Sequence, residues 1–306
     1  MRILFAFASL FLIAFAVQAQ TPTEGVTAPP TIGNCPIFPA DNAWNTDISA
    51  YPVDPRSDAY IASINEDATH LHADFGAEPD YGIPYVVVDQ SQPFVPINFT
   101  DYGDESDPGP YPVPKDAPVE AGGDAHVLVV DAGNCKLYEL YDAEYNGDGW
   151  DAGSGAVFDL RSNDLRPEGW TSADAAGLPI FPGLVRYDEV TAGAIHHALR
   201  FTVDETQAAY IHPATHDASD DDNPDLPPMG LRLRLKAGYD ISKYTGEARV
   251  ILEALKTYGM IVADNGTSWF VTGATDPRWN DDDLNQLKKV PGTAFEVVQS
   301  GTIIKP

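Results

Sequence analysis

Four of the chain's seven histidines, His196, His197, His212 and His216, fall between residues 196 and 216. An imidazole titrates near neutrality, so it can move a proton or bind a metal. Just downstream, Leu231-Arg232-Leu233-Arg234-Leu235-Lys236 alternates apolar with basic side chains. Cations are scarce in this chain, 18 Lys and Arg against 46 Asp and Glu. Three of them at alternate positions make a face that could bind carboxylate, sulfate or phosphate, with arginine offering a bidentate fork. The structural alternative is cross-strand pairing with the abundant acids, worth ~0.2–1 kcal/mol per exposed pair.

Read as a strand, residues 195–203 put His197, Leu199, Phe201 and Val203 on one face. His196, Ala198, Arg200 and Thr202 then share the other. Parity therefore makes His197 a buried imidazole and places His196 and Arg200 where substrate or solvent would be. His212 and His216 have the spacing of a helical metal pair, but Pro213 lies between them and breaks that geometry. No His-Glu-x-x-His run is present, so a metal-dependent hydrolase is the third-ranked reading.

The stretch from Asp159 to Val190 mixes acids with Arg161, Arg166, Arg186 and Trp170. A Trp ring among polar groups suits a sugar face, so Trp170 is a candidate glycan platform. Glycoside hydrolysis usually needs two facing carboxyls, and Asp174, Asp188 and Glu189 are the candidates. A polysaccharide lyase would use the same inventory differently. Arg200, Arg232 or Arg234 would neutralise a uronate, and His196, His216 or Tyr187 would remove the adjacent proton. Asp142, Glu144, Asn146 and Asp148 alternate like part of a calcium loop, but the twelfth position is Gly153 where a bidentate Glu belongs. Calcium is thus a weak candidate, and the sequence requires no cofactor. There is no Gly-x-Ser-x-Gly elbow, P-loop or Rossmann glycine pattern, which argues against serine-hydrolase, nucleotide and dinucleotide chemistry.

The runs TSADAAGLPIFPGLVRYDEV, HALRFTV, LPPMGLRLRLKAGYDI and ALKTYGMIVADNG resemble a group of secreted bacterial proteins, over most of the chain. The resemblance implies export and a shared domain, and brings no reaction with it. It also implies that the histidines at 197 and 216 recur while those at 196 and 212 vary, which ranks His197 and His216 first.

The elements that must position these groups are mostly strands. Expected strands are Tyr85–Asp89, Phe94–Phe99, His126–Val130, Lys136–Tyr141, Val157–Leu160, His197–Val203, Ala209–His212, Leu231–Ala237, Trp269–Thr272 and Phe295–Val298. The second pair of neighbours, His126 to Tyr141, reads as a hairpin turning at 131–134. Two helices are expected, Glu247–Tyr258 with Thr245 and Gly259 at its ends, and Asp281–Val290 capped by Asn280 and stopped by Pro291. Many short strands and few helices predict a mainly β fold, a β-sandwich or jelly roll with two C-terminal helices. A mixed α+β single domain is the alternative.

Arg2, the apolar run Ile3–Val17 and the small residue Ala19 predict a signal peptide over residues 1–19. Residues 20–33 read as a linker, and 34–306 as one β-rich globular domain. Export would leave Cys35 and Cys135, the two cysteines, to pair with each other. That bond would close a loop worth up to ~4.7 kcal/mol in the chain-entropy model. The net charge of −28 disfavours nucleic acid and anionic lipid as partners. The sequence therefore predicts a secreted or periplasmic enzyme that cleaves an extracellular, acidic polysaccharide or oligosaccharide by hydrolysis or β-elimination. A lectin-like, non-catalytic glycan-binding module is the second reading. In this scheme His197, His216, Asp174, Asp188 and Glu189 handle protons, and Arg200, Arg232, Arg234, Trp170 and Tyr187 hold substrate.

Overall fold

The computed structural model of the chain describes residues 28–65 and 70–306. A short ribbon, β1 (Thr31–Ile32) and β2 (Cys35–Pro36), is followed by helix α1 (Ser57–Ile64). Next come β3 (His72–Asp74), β4 (Tyr85–Val88), β5 (Ile97–Phe99), β6 (Val127–Asp131) and β7 (Lys136–Tyr141). Strands β8 (Glu144–Tyr145), β9 (Trp150–Ala152) and β10 (Ser154–Asp159) precede helix α2 (Tyr187–Ala192). The remainder alternates: β11 (Leu199–Val203), β12 (Arg232–Leu235), α3 (Gly246–Thr257), β13 (Met260–Asn265), β14 (Phe270–Thr272), α4 (Asp281–Leu284) and β15 (Phe295–Val297).

Most of these strands lie in two sheets. One has the order β15-β12-β13-β11-β14-β3, the other β10-β7-β6-β4. A small third sheet, β5-β9-β8, flanks them. Strands in several sheets, few helices and no barrel agree with the expected class. The pairs β4–β6, β5–β9, β11–β13 and β3–β14 are parallel. The larger sheets are therefore mixed, whereas a jelly roll is built from antiparallel pairs, and the mixed α+β alternative accommodates them better.

The four-stranded sheet is apolar on both faces. Leu128, Val130, Leu137, Ala156 and Phe158 join the main core, while Val127, Val129, Tyr138 and Leu140 face a second, smaller cluster with Tyr111 and Trp150. Burial on both sides explains the unbroken apolar run Val127–Val130. The expected hairpin forms, with Asp131 opposite Lys136 and Val127 opposite Leu140. Asp131 Oδ1 accepts from the backbone N–H groups of Gly133 and Asn134 and so closes the turn.

Helix α3 forms where its apolar stripe predicts and packs on β12 and α2. Gly259 follows it at φ +67°, the left-handed geometry that ends a helix. The last expected helix is α-helical only to Leu284 and continues as a 3-10 helix over Asn285–Lys289. Asn280 caps it as expected, accepting from the N–H groups of Asp282 and Asp283. The short α1 and α2 start without a side-chain cap, so neither carries the usual start signal. Cys35 and Cys135 are disulfide-bonded, which ties the N-terminal ribbon to the β6–β7 turn. The bond is compatible with an extracellular protein. Among the described residues no helix is long and apolar enough to cross a membrane. The predicted signal peptide and linker residues 20–27 lie outside the described residues.

Candidate functional site

A cavity of about 370 Å³ opens beside the ends of β7 and β13. It is lined by His126, Tyr141, Asp174, His216 and Asp264, with Tyr102 and Asp124 also on its wall. Its size falls within the range of small-ligand sites, ~300–1,000 Å³.

Four elements supply or brace these groups. Strand β11 contributes Arg200, on the face opposite Leu199, Phe201 and Val203, as parity predicts. That face meets protein instead of solvent. The Arg200 side chain is only 5 % exposed, and Asp174 is fully buried. Arg200 Nε and Nη2 donate to the two Asp174 oxygens at 2.8 Å each. Nη1 donates to Thr272 Oγ1 at 2.8 Å, and Nη2 also reaches Asp264 Oδ2 at 3.0 Å. With every guanidinium nitrogen engaged, Arg200 is a buried organiser and has no free fork for a substrate.

Strand β13 contributes Asp264 by way of an irregularity. Arg200 pairs with Ile261 and Phe201 with Val262, but Thr202 pairs with Asp264. The extra residue, Ala263, shifts the pleat and turns Asp264 to the Arg200 side. Asp264 is 23 % exposed at the cavity wall. Burial and the neighbouring Asp174 charge push its carboxyl up to about 7, against the pull of Arg200.

The segment Thr171–Leu178 forms the cavity floor and is tightly wound. Ser172 Oγ donates to Leu178 O and accepts from Asp174 N–H, and Gly177 N–H donates to Asp174 O. Gly177 has φ +72°, and a Cβ there would lie 2.2 Å from Thr215 Oγ1, so only glycine fits this turn. Arg166 braces the segment, donating to Thr171 O, Glu105 O and Asp107 Oδ2.

His216 lies against this floor, with its side chain 28 % exposed. Its Nδ1 is 2.9 Å from Ala175 O, a contact that requires an N–H there. In the neutral ring Nε2 is then the unprotonated nitrogen, facing Glu105 Oε2 at 3.9 Å. His126 is the reverse case. Nδ1 meets Glu120 Oε2 at 2.5 Å and Nε2 meets Ala173 O at 2.9 Å, so both nitrogens face acceptors. Burial pulls the His126 pKa down, but the bonded Glu120 carboxylate outweighs it and holds the ring above its ordinary value. Behind it, Glu139 is wholly buried on the core side of β7 and accepts from the N–H groups of Ile180 and Phe181. Burial pushes Glu139 up to about 7 despite those bonds.

Of the residues singled out in the sequence, the structure thus brings Asp174 and His216 to the cavity wall, with Arg200 bonded to Asp174 behind it. The others lie elsewhere. His197 is buried with Nδ1 on Ala198 O and Nε2 on Glu189 Oε2 at 3.0 Å, and Glu189 also pairs with Arg186 at 2.6 Å. His197 and Glu189 therefore fasten α2 to the start of β11. Asp188 is exposed on α2, and Tyr187 sits edge-on to Trp279 beneath Arg278. Both arginines of β12 are buried, where an outward basic face was expected. The N-terminal segment covers them: Arg232 donates to the carbonyls of Ala43, Thr46 and Tyr258, and Arg234 to those of Ile48 and Ser49 and to Glu296. Trp170 is half-buried beside Arg166. His196 is exposed, and His212 pairs with Glu168 at 2.7 Å. Asn146 of the candidate calcium loop accepts from Asp148 and Gly149 N–H at the β8–β9 turn. Among the described residues no group of three or more His, Cys, Asp or Glu gathers to hold a metal ion.

Sequence reasoning missed His126, Asp124, Glu139 and Asp264. One signal was available for Glu139: both faces of β7 are apolar, so its acid has nowhere to go but inward. No protein-family model, curated protein or solved structure matches this chain, and the roles of these groups follow from their geometry alone.

Proposed function

We propose that the chain is a carbohydrate-active enzyme, acting outside the cell, that hydrolyses a glycosidic bond in this cavity. The observation that carries the reading is an acid and a base in one small cavity. Asp264, with a pKa of about 7, keeps a proton to donate near neutral pH. His216, its ring fixed by Nδ1 on Ala175 O, would accept one at Nε2 in its neutral form, beside Glu105 Oε2 at 3.9 Å. In the proposed step Asp264 protonates the leaving glycosidic oxygen as the bond to the anomeric carbon breaks. Nε2 takes a proton from the water that attacks that carbon. Tyr102 and Tyr141 offer aromatic faces for a sugar ring. Elimination has less support, because it needs a cation free to neutralise a uronate and Arg200 is engaged by Asp174, Asp264 and Thr272. Glycan binding without cleavage is the second reading, favoured by the exposure of Tyr102 at the rim.

The test is release of new reducing ends from a broad panel of neutral, amine-bearing and acidic polysaccharides. Asp264→Asn and His216→Ala should each lower that activity by about 10²-fold or more, the contribution of a positioned acid or base. Unsaturated uronate products would overturn hydrolysis in favour of elimination. Binding with no new ends would leave a lectin, and full activity in both variants would remove the site.

A further inference from the structure

We infer that the cavity selects glycans bearing a free amine, with the sugar's ammonium seated between the Tyr141 ring and the Asp124 carboxylate. This rests on the glycan reading above and adds the class of sugar.

The charges that face the cavity are unevenly matched. Asp174 is neutralised by Arg200, and His126 by Glu120. No Lys or Arg side chain lines the wall. Asp124 stands on that wall, and its carboxylate has no ion-pair or hydrogen-bond partner among the described residues. Its backbone is nonetheless fixed: Asp124 O accepts from Asp142 N–H at 2.8 Å, and Ala125 O accepts from Ala143 N–H at 3.1 Å. The residue is therefore anchored at the rim through its backbone. The preceding Gly122 and Gly123 have open space where a Cβ would stand, so nothing crowds the approach.

Tyr141 lies beside it, tilted against the His126 ring with centroids 5.9 Å apart. Asp101, Asp124 and Asp142 all add negative potential at its phenol. An aromatic face combined with carboxylates is the chemistry that recognises an organic ammonium, by cation–π attraction and a charge-assisted hydrogen bond. The same surroundings repel a uronate, and they give an N-acetylated sugar no charge to pair. The net charge of the chain acts in the same direction at longer range.

Calorimetric titration of the full protein at low salt and mildly acidic pH tests this. The probes are tetrasaccharides of glucosamine, of N-acetylglucosamine and of a uronic acid, with a linear diamine as the charge-only control. The glucosamine tetramer should bind about tenfold tighter than the N-acetylated one, the value of one charge-assisted hydrogen bond. Asp124→Asn, an exposed and isosteric change, should erase that preference while leaving circular dichroism and the N-acetylated affinity unchanged. Equal binding of the two tetramers, or a preference that survives Asp124→Asn, would overturn the inference and leave the glycan reading standing. A diamine that binds as tightly as the amino sugar would overturn it too. No binding by any of the three tetramers would overturn the inference, and the glycan reading would then be decided by the reducing-end panel.

Discussion

A carboxylate with no exposed surface either keeps its proton or costs folding free energy. Glu139 illustrates this at the scale of a single residue. Its folded pKa is raised from 4.5 to about 7, so between those values the folded chain holds a proton that the unfolded chain has released. The contribution to stability is complete below pH 4.5 and is lost as pH rises through about 7. Glu120 and Glu189 run the opposite way, since their carboxyls are held below the ordinary value and their contribution is lost in acid. Comparing Glu139→Gln with the parent isolates the first effect. Relative to the variant, the parent should lose on the order of 3 kcal/mol between pH ~4.5 and ~7, seen in urea unfolding at several pH values. A pH-independent difference would contradict it. Single residues were partly legible in the sequence. Arg200 and His216 stood out because cations and imidazoles are rare in so acidic a chain, and Asp174 because it lies in the stretch that mixes acids with arginines and Trp170. Asp124 and Asp264 are two among 46 acids, and nothing local marks them.

At the scale of elements, period-two alternation and turn residues located most strands, because both are local properties of the chain. Strand β13 shows where that fails. Its alternation places Asp264 away from Ile261, and only the extra residue in the pairing with β11 turns it to the cavity. That irregularity is settled between strands far apart in sequence. The covering of Arg232 and Arg234 by residues 43–49 is likewise non-local, so a strand pattern that should face water faces protein. The end of α3 was legible, and its cause is steric. Gly259 has φ +67°, and a Cβ there would lie 2.1 Å from Leu233 O, a backbone atom of β12 that cannot step aside cheaply. Gly259→Ala should destabilise the fold by about 1–3 kcal/mol or more, measured as a lower urea midpoint. A change below about 0.5 kcal/mol, the scatter of surface substitutions, would refute the steric account.

At the scale of the whole molecule, the disulfide joins residues 100 apart in sequence and fixes the N-terminal ribbon beside the β6–β7 turn. Its pairing could be read from the cysteine count, whereas the layering of two mixed sheets could not, since parallel neighbours leave no short-range turn signal. Replacing both cysteines with serine should cost about 2–5 kcal/mol, seen as a lower melting temperature under oxidising conditions. Equal melting temperatures would show that the segment is held by its other contacts. The two-sided burial of the four-stranded sheet has a consequence for how the chain finds its fold. Strand β7 is apolar on both faces, so sliding it by one residue would still bury Leu137, Tyr138 and Leu140. Glu139 opposes that slip, because it would be stripped of the Ile180 and Phe181 amides and its carboxylate turned into the cluster around Tyr111 and Trp150. A side chain that weakens the finished protein at neutral pH thus helps to select the alignment in which the hairpin locks.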